Sequence, residues 1–259
     1  QLDDLLYAPN KNTIEWKALE VAAQTNKLSP IKLLEKCGAI PSSHDFHFNQ
    51  FLREYFPDGV AFNVIQNDSM LDSLESLPTA SEIKAFSIDD ATTTEIDDAF
   101  SVQPLSLGSF RIGIHIAAPA LGILPGSQLD QIAAKRLSTV YLPGKKVTML
   151  PNEVIQHFTL AEAVYSPALS LYLDVSDDFT VMTRQSKIEM IRVDANLRHD
   201  SLEQLFNEET LRKKIIDYPF AKELGLLWNF AKKMEALRGK ENDINNEKID
   251  YSFLVDGEQ

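Results

Sequence analysis

Cysteine and long apolar runs are both scarce in this sequence. Cys37 is the only cysteine, which excludes an internal disulfide and a cage of thiolate metal ligands. A lone cysteine is typical of a reducing cytosol or organelle matrix, and of these we expect the cytoplasm. No stretch approaches the roughly 18 uninterrupted apolar residues that a bilayer span needs, and the acidic start QLDDLLYAPNKN is unlike a signal peptide. We therefore predict no association with a membrane.

Positive charge is also in short supply. The chain has 25 Lys and Arg residues against 38 Asp and Glu residues, a formal net charge of -13. Because phosphate binding is driven by Lys and Arg, this balance argues against a protein that coats nucleic acid nonspecifically. It does not exclude an enzyme that holds a strand in a local channel, since bound metal ions supply part of the charge there. The 259 residues, 44% of them apolar, indicate one large globular domain or two ordinary ones.

The first part of the chain is predicted to be a helical module over residues 1–65. Apolar residues at helical spacing indicate two short helices separated by the start signal Ser29-Pro30, and a third helix over residues 46–55. Two interpretations of this module stay open, a winged-helix unit and a helical packing subdomain without a nucleic-acid role. The polar, broken stretch over residues 66–82 is predicted to be a linker.

Residues 83–259 are predicted to form a second, β-rich domain. Apolar runs and alternations indicate strands at 85–88, 99–102, 110–116, 168–175, 181–193 and 251–255. A helix is expected after the cap Ser127, and another over an apolar stripe that ends near Gly239. The predicted fold class is therefore α+β, a mostly antiparallel sheet with flanking helices.

The most informative segment is an acidic loop between two predicted strands. It carries four carboxylates within ten residues: Asp89, Glu95, Asp97 and Asp98. Glu95 and Asp97 are two residues apart, so in extended backbone they face the same side. Converging carboxylates need cations or raised pKa values, and hard oxygen ligands of this kind select Mg²⁺ or Mn²⁺. Taken by itself, the segment is equally compatible with an acidic turn that faces solvent.

The whole segment resembles the catalytic signature of the ribonuclease II / ribonuclease R family, the RNB domain. That signature reads approximately Ile-Asp, six or seven residues, then Asp-x-Asp-Asp-Ala, and Ile88-Asp89 and Glu95-Ile96-Asp97-Asp98-Ala99 stand at matching positions. The resemblance continues in order through five more blocks: Ile114 to Ala117, the helix with Ser127 to Arg136, Ser138 to Gly144, Met149 to Pro151 and Pro167 to Ser170.

Membership of this family implies a metal-dependent 3′-to-5′ exoribonuclease that converts single-stranded RNA to 5′-nucleoside monophosphates, with DNA not expected as the main substrate. By this resemblance Asp89 and Asp98 hold the Mg²⁺ or Mn²⁺ ion nearest the scissile phosphate. Glu95 and Asp97 position a second ion or the attacking water. Tyr141 corresponds to the tyrosine that packs against the terminal nucleotide, and His199 stands where the family often has a second stacking aromatic residue.

The sequence departs from the family pattern at several positions. Glu95 and His199 replace the usual Asp and aromatic residue, and Ala118 stands where the family has an Asp. A complete RNB domain continues past residue 259, so the chain is expected to be part of a longer protein that needs its C-terminal region. Six cations could line a strand channel, although a solvated surface is the favoured interpretation for any one of them: Lys135, Arg136, Lys145, Lys146, Arg192 and Arg198.

Two alternatives to the exoribonuclease stay open. One is an RNA-binding or scaffolding protein that keeps the RNB fold without turnover, which the replacement at position 95 and the incomplete domain favour. The other is a metal phosphohydrolase acting on small molecules, whose activity would not depend on RNA length.

Overall fold

A computed structural model of the chain describes residues 2–62, 73–213 and 216–239. The chain divides into two compact units, Gln1–Asn63 and Val64–Gln259, which are described separately below. The predicted strand at 251–255 and residues 66–72 of the predicted linker lie outside the described residues. None of the helices in the described ranges has the length and apolar character needed to cross a membrane.

The first unit is helical. Its helices are α1 Leu2–Tyr7, α2 Ile14–Asn26, α3 Pro30–Lys36 and α4 Ser43–Tyr55. The hydroxyls of Thr13, Ser29 and Ser42 cap the starts of α2, α3 and α4 by accepting backbone N–H groups. The predicted helical content is confirmed. The winged-helix interpretation is not confirmed, because residues 2–62 contain no strand that could form the wing.

The second unit is built on a closed five-stranded barrel. Its strands, in spatial order, are β1 Ala85–Asp89, β2 Asp98–Pro104, β3 Phe110–Ala117, β6 Tyr165–Val175 and β7 Val181–Arg198. All neighbours are antiparallel except β1 and β7, which are parallel and close the barrel. The predicted mostly antiparallel sheet is confirmed, whereas its closure was not predicted from the sequence.

Helices and a small hairpin surround the barrel. The helices are α5 Gln128–Arg136, α6 Asn152–Phe158, α7 His199–Glu203, α8 Glu208–Arg212 and α9 Ala221–Leu237. The hairpin pairs β4 Val140–Leu142 with β5 Lys145–Val147. Short 3₁₀ turns occupy Ser73–Ser76, Ser106–Gly108 and Pro119–Gly122. Ser127 caps α5, and Gly239, with a φ of 69°, follows α9, as the sequence predicts.

Helix α9 packs on the outer face of the barrel. Leu226, Leu227 and Phe230 of α9 contact a core cluster that includes the strand residues Ile112 and Leu173. This packing defines which side chains point outward. Since side chains alternate along a strand, the opposite set points into the barrel.

The barrel interior combines alanine and branched apolar residues with a buried polar group, His115. The apolar cluster comprises Ala85, Ile96, Ala99, Leu160, Ala168, Ile191 and Val193. His115 Nε2 lies 2.9 Å from Ser101 Oγ, and His115 Nδ1 lies 2.8 Å from Ser170 Oγ. Burial lowers the pKa of His115 to about 4, so the imidazole is neutral at pH 7. Gly113 leaves the room for this ring, because an added Cβ there would lie 2.3 Å from Ser101 Oγ and 2.6 Å from His115 Nε2.

The strand register decides what lies at each end of the barrel. Asp98 pairs with Ile116, and Ala117 pairs with Ala168, so the acidic residues lie at the end where β3 finishes and β6 begins. The 176–180 turn between β6 and β7 lies at the opposite end. Residues 78–80 also join this unit, since the amide of Ala80 donates to the carbonyl of Met190 and the amide of Met190 donates to that of Pro78.

Candidate active site at the acidic end of the barrel

The acidic loop connects β1 to β2 and is anchored by a buried isoleucine. Ile96 is only 3% exposed and packs into the barrel core. Its amide donates to Thr159 Oγ1 at 2.7 Å, and its carbonyl accepts from the amide of Leu160 at 2.9 Å. The carbonyl of Asp97 accepts from the amide of Ala117 at 2.8 Å. The backbone of Ile96 and Asp97 is therefore held by hydrogen bonds. Glu95 and Asp97 flank Ile96, whose side chain points into the barrel.

The carboxylates of the loop perturb one another. The pKa of Asp97 is raised, chiefly because protein groups displace water from the carboxylate, and further by the negative charges of Glu95, Asp98 and Asp89. The pKa of Asp98 is raised for the same first reason and by the charge of Asp89. Within the described part of the chain, neither Asp97 nor Asp98 forms an ion pair. The four predicted site residues thus share one electrostatic neighbourhood that carries excess negative charge.

Asp89, the last residue of β1, is held by a chain of hydrogen bonds. Ser87 Oγ donates to Asp89 Oδ2, and Ser87 is itself fully buried. Asn196 Nδ2 donates to Ser87 Oγ at 2.8 Å and to the carbonyl of Leu160 at 3.2 Å. The amide of Glu162 donates to Asn196 Oδ1 at 2.9 Å. Each polar atom of the Asn196 amide therefore has a partner, and the chain of bonds ends on the carboxylate.

Arg198 lies against the acidic loop. Its Nη1 donates to the carbonyls of Asp90 and Thr93, at 2.9 and 3.1 Å. The sequence suggested this arginine as one of several cations that could line a strand channel. In the structure it binds the backbone of the loop that carries the carboxylates.

Glu95 forms an ion pair with Lys146, from β5 of the small hairpin. The pair joins the hairpin to the acidic loop, and together they border an open groove of about 610 Å³. Tyr141 of β4 pairs across the hairpin with Lys146, lines the same groove and is 72% exposed. An exposed aromatic ring beside lysine side chains is a suitable surface for a nucleotide base and its phosphate.

The second predicted RNA-binding residue, His199, lies elsewhere. It is exposed at the start of α7, immediately after Arg198, and it is not among the described residues that line the Tyr141 groove. The structure therefore brings Tyr141 and Glu95 to one groove and places His199 next to the arginine that contacts the loop.

The donor set has the chemistry of a site for a hard divalent cation. Asp89, Asp97 and Asp98 offer carboxylate oxygens, the ligands that Mg²⁺ and Mn²⁺ prefer, and their excess charge is relieved by a cation. Their arrangement is looser than that of a formed site, because in the described residues no three His, Cys, Asp or Glu side chains are placed to hold one ion. The type of ligand fits the metal, whereas the assignment of individual ligands stays a prediction.

Sequence reasoning missed three polar contributors to this site, Ser87, Asn196 and the pairing of Lys146 with Glu95. Ser87 is a polar residue inside the apolar run at 85–88, which is a weak signal, whereas Asn196 lies in a polar stretch beyond the predicted strand 181–193 and carries none. Nothing in the sequence places Asn196 beside Ser87, because 109 residues separate them.

Comparison with known proteins places the chain in a family. Residues 79–259 match the family model of the RNB domain. The chain is 27% identical to Ribonuclease R of Chlamydia muridarum over 187 residues, covering 70% of this chain and 27% of that protein. It is 29% identical to Exoribonuclease 2 of Cronobacter sakazakii over 208 residues, covering 77% of this chain and 30% of that protein.

Solved structures share the fold at lower sequence identity. The Dss1 exoribonuclease active-site mutant D477N of Candida glabrata superposes with a TM-score of 0.62 at 21% identity, covering 82% of this chain and 30% of that one. RNase R of Mycoplasma genitalium, in complex with ribose-methylated single-stranded RNA, gives 0.56 at 18% identity, covering 75% and 31%. Yeast Ssd1, a pseudonuclease, gives 0.54 at 20% identity, covering 65% and 24%.

The barrel with its flanking helices is therefore an RNB-type fold. The chain belongs to the RNB domain family, as the sequence resemblance indicates. It spans less than a third of the length of the two curated relatives described above.

Proposed function

We propose that this chain carries the acidic part of the active site of a metal-dependent 3′-to-5′ exoribonuclease, which hydrolyses single-stranded RNA to 5′-nucleoside monophosphates. The observation that carries the proposal is the electrostatic coupling of Asp97 to Glu95, Asp98 and Asp89 at one end of an RNB-type barrel. Like charges that outnumber their counter-charges cost folding free energy, and active sites are where such a cost is commonly found. The names of the relatives, Ribonuclease R and Exoribonuclease 2, support the same reaction.

The proposal assigns a role to each carboxylate. Asp89 and Asp98, which end β1 and begin β2, hold the Mg²⁺ or Mn²⁺ ion nearest the scissile phosphate. Asp97 and Glu95 position the attacking water or a second ion. When bound, the metal supplies positive charge that activates a water molecule and stabilises the leaving oxygen of the phosphodiester. Lys146 pairs with one carboxylate oxygen of Glu95, so the second oxygen would be the one available to a metal ion or water.

The substrate strand is proposed to enter by the groove between the acidic loop and the β4–β5 hairpin. Tyr141 offers an exposed ring on which a base of any identity can stack, a contact that contributes roughly 1–3 kcal/mol. Lys145 and Lys146 line the same groove and attract phosphate, and His199 provides a second ring near Arg198. Single-stranded RNA rather than DNA is the proposed main substrate, in the cytoplasm, and turnover is proposed to need the C-terminal region of the longer protein.

A second candidate function is RNA binding or scaffolding without turnover. Two observations favour it. Glu95, which replaces the usual Asp of the family signature, is engaged by Lys146. The fold is also shared with Ssd1, which is described as a pseudonuclease. This candidate predicts RNA binding in the Tyr141 groove and no release of mononucleotides.

The two candidates are separated by digestion of a 5′-labelled single-stranded RNA with Mg²⁺ or Mn²⁺, and with a chelator as the blank. A metal-dependent ladder that shortens from the 3′ end supports the exoribonuclease. Because three neighbouring carboxylates act on Asp97, Asp97→Asn is expected to lower the rate by roughly 10³-fold while RNA binding persists.

The matched control for this digestion is Asp177→Asn, an exposed aspartate in the 176–180 turn at the opposite end of the barrel. It should cleave at the wild-type rate. A fully active Asp97→Asn chain would overturn the assignment of the acidic loop. If the wild-type chain binds RNA without cleaving it, and the longer protein also fails to cleave RNA, the second candidate, RNA binding without turnover, is established.

A further inference from the structure

The single parallel pairing of the barrel determines what lies beside the acidic loop. Strands β1 and β7 run in the same direction, and their register pairs Ser87 with Asn196 and Asp89 with Arg198. Two parallel strands end at the same side of a sheet. The end of β7 therefore places the side-chain amide of Asn196 and the guanidinium of Arg198 next to Asp89 at the end of β1.

Arg198 closes the turn that begins the acidic loop. The amide of Thr93 donates to the carbonyl of Asp90 at 3.0 Å, which defines a tight turn over residues 90–93. Arg198 Nη1 donates to the carbonyls at both ends of that turn. Hydrogen bonds from a charged donor are stronger than those between neutral groups, so this contact restrains the path of the backbone towards Glu95 and Asp97.

Asn196 sets the direction of the Ser87 hydroxyl. Ser87 Oγ accepts a hydrogen bond from Asn196 Nδ2, so its own proton is free to be donated and it is directed at Asp89 Oδ2. Asn196 cannot turn away easily, because its amide is also bound to the backbone of Leu160 and Glu162. The carboxylate of Asp89 is thereby held in one orientation from inside the barrel.

We propose that Asn196 and Arg198 are positioning residues of the acidic site, Arg198 by holding the loop backbone and Asn196 by orienting Asp89 through Ser87. Neither touches the substrate in this scheme. The inference rests on the proposed function, because it concerns the same carboxylates. It adds that the parallel end of β7 is the element that arranges them, as outer-shell partners arrange metal ligands elsewhere.

The Arg198 contact is tested by hydrogen–deuterium exchange of the whole chain without metal or RNA. Arg198→Met keeps the apolar stem and removes both donated bonds, so amides over residues 90–95 should exchange at least about tenfold faster. Arg198→Lys keeps one charged donor and should recover part of the protection. The control is Arg192→Met on the same strand, whose guanidinium bonds only to Asp194 among the contacts described.

The Asn196–Ser87 contact is tested by the affinity for Mn²⁺, followed by electron paramagnetic resonance. Ser87→Ala removes the hydroxyl that contacts Asp89 and should weaken Mn²⁺ binding roughly 10–100-fold. Ser101→Ala is the matched control, since Ser101 is an equally buried barrel serine that contacts His115 instead. Asn196→Leu should weaken binding to a similar extent as Ser87→Ala.

The outcomes separate this inference from the proposed function. Exchange over residues 90–95 that is the same in Arg198→Met and Arg192→Met overturns the role of Arg198, whether or not the chain cleaves RNA. Equal Mn²⁺ affinities for Ser87→Ala and Ser101→Ala, or no Mn²⁺ binding by the wild type, overturn the role of Asn196. Faster exchange in Arg198→Met, together with no RNA cleavage by the wild-type chain or by the longer protein, supports the positioning of the loop and rejects only the nuclease.

Discussion

The barrel has two polar clusters that differ in whether their polar atoms have partners. Inside it, both ring nitrogens of His115 have serine partners, and the hydroxyl of Tyr172 donates to the buried Glu189 at 2.7 Å. At its end, Asp97 and Asp98 have no ion-pair partner within the described residues, and their pKa values are raised by partial loss of hydration and by neighbouring carboxylates, of which Asp89 acts on both.

This difference separates polar groups that stabilise the fold from polar groups that are kept for function. A buried polar group that has all its hydrogen bonds specifies a core and is costly to change. A cluster of like charges with too little counter-charge does not stabilise the fold. Its presence is best explained by a ligand that supplies the missing positive charge. Changes inside the barrel should therefore lower the free energy of unfolding, and changes at its acidic end should raise it while removing function.

The largest expected effect is that of Gly113→Ala. The new Cβ would overlap Ser101 Oγ and the His115 ring, both of which are buried and hydrogen-bonded to each other. Overpacking at such a site is expected to cost about 3 kcal/mol of unfolding free energy, measured by urea denaturation. Gly225→Ala is the control, because a Cβ there meets nothing within 4 Å and the residue lies inside α9. That change should stabilise by roughly 0.5–1 kcal/mol. Equal stabilities of the two variants would show that the interior is not tightly packed.

The next effect is a loss of stability in acid that depends on His115. The pKa of its imidazole is about 4 in the folded chain and about 6.5 when unfolded, so between these values only the unfolded state is protonated. The free energy of unfolding should therefore fall as the pH decreases from 6.5 to 4, by about 3 kcal/mol from this residue. In His115→Gln, which does not titrate, this part of the pH dependence should disappear. Parallel curves of unfolding free energy against pH for the two chains would contradict the buried neutral histidine.

The smallest expected effect has the opposite sign and is that of Asp97→Asn on thermal stability. The pKa of Asp97 is raised on folding, so its ionisation costs the folded state at every pH above that pKa. A neutral Asn should raise the Tm by roughly 1 °C in chelator, a small shift because the site is open to solvent. Adding Mg²⁺ should raise the Tm of the wild type more than that of the variant. Asp177→Asn should leave the Tm unchanged, and a lower Tm for Asp97→Asn would show that the acidic cluster stabilises the fold.

Much of the secondary structure could be predicted from the sequence, because local patterns determine it. Ser29-Pro30 and Ser127 begin helices where the capping rules predict, and the helix before Gly239 ends as expected. Apolar runs and alternations predicted the five strands of the barrel, although β6 and β7 extend beyond the predicted bounds, and the short β4 and β5 were not predicted as strands. Strands of three residues carry too little periodicity to be detected.

The sequence predicted which residues carry the candidate site, but not how their side chains are arranged in space. Asp89, Glu95, Asp97 and Asp98 lie close together in sequence, so their clustering follows from one short loop and from the family signature. The partners of that loop come from distant strands. Nothing local indicates that Lys146 pairs with Glu95 or that Asn196 orients Asp89 through Ser87.

The sequence by itself determined the family, the helices and strands, and the acidic loop, since each depends on residues that are neighbours along the chain. Only the tertiary structure decided that the sheet closes and that its one parallel pairing joins β1 to β7. The physical reason is that closure depends on strand twist and register summed over the whole barrel, which no local pattern encodes. That closure places Arg198 against the acidic loop and buries His115 among its serines.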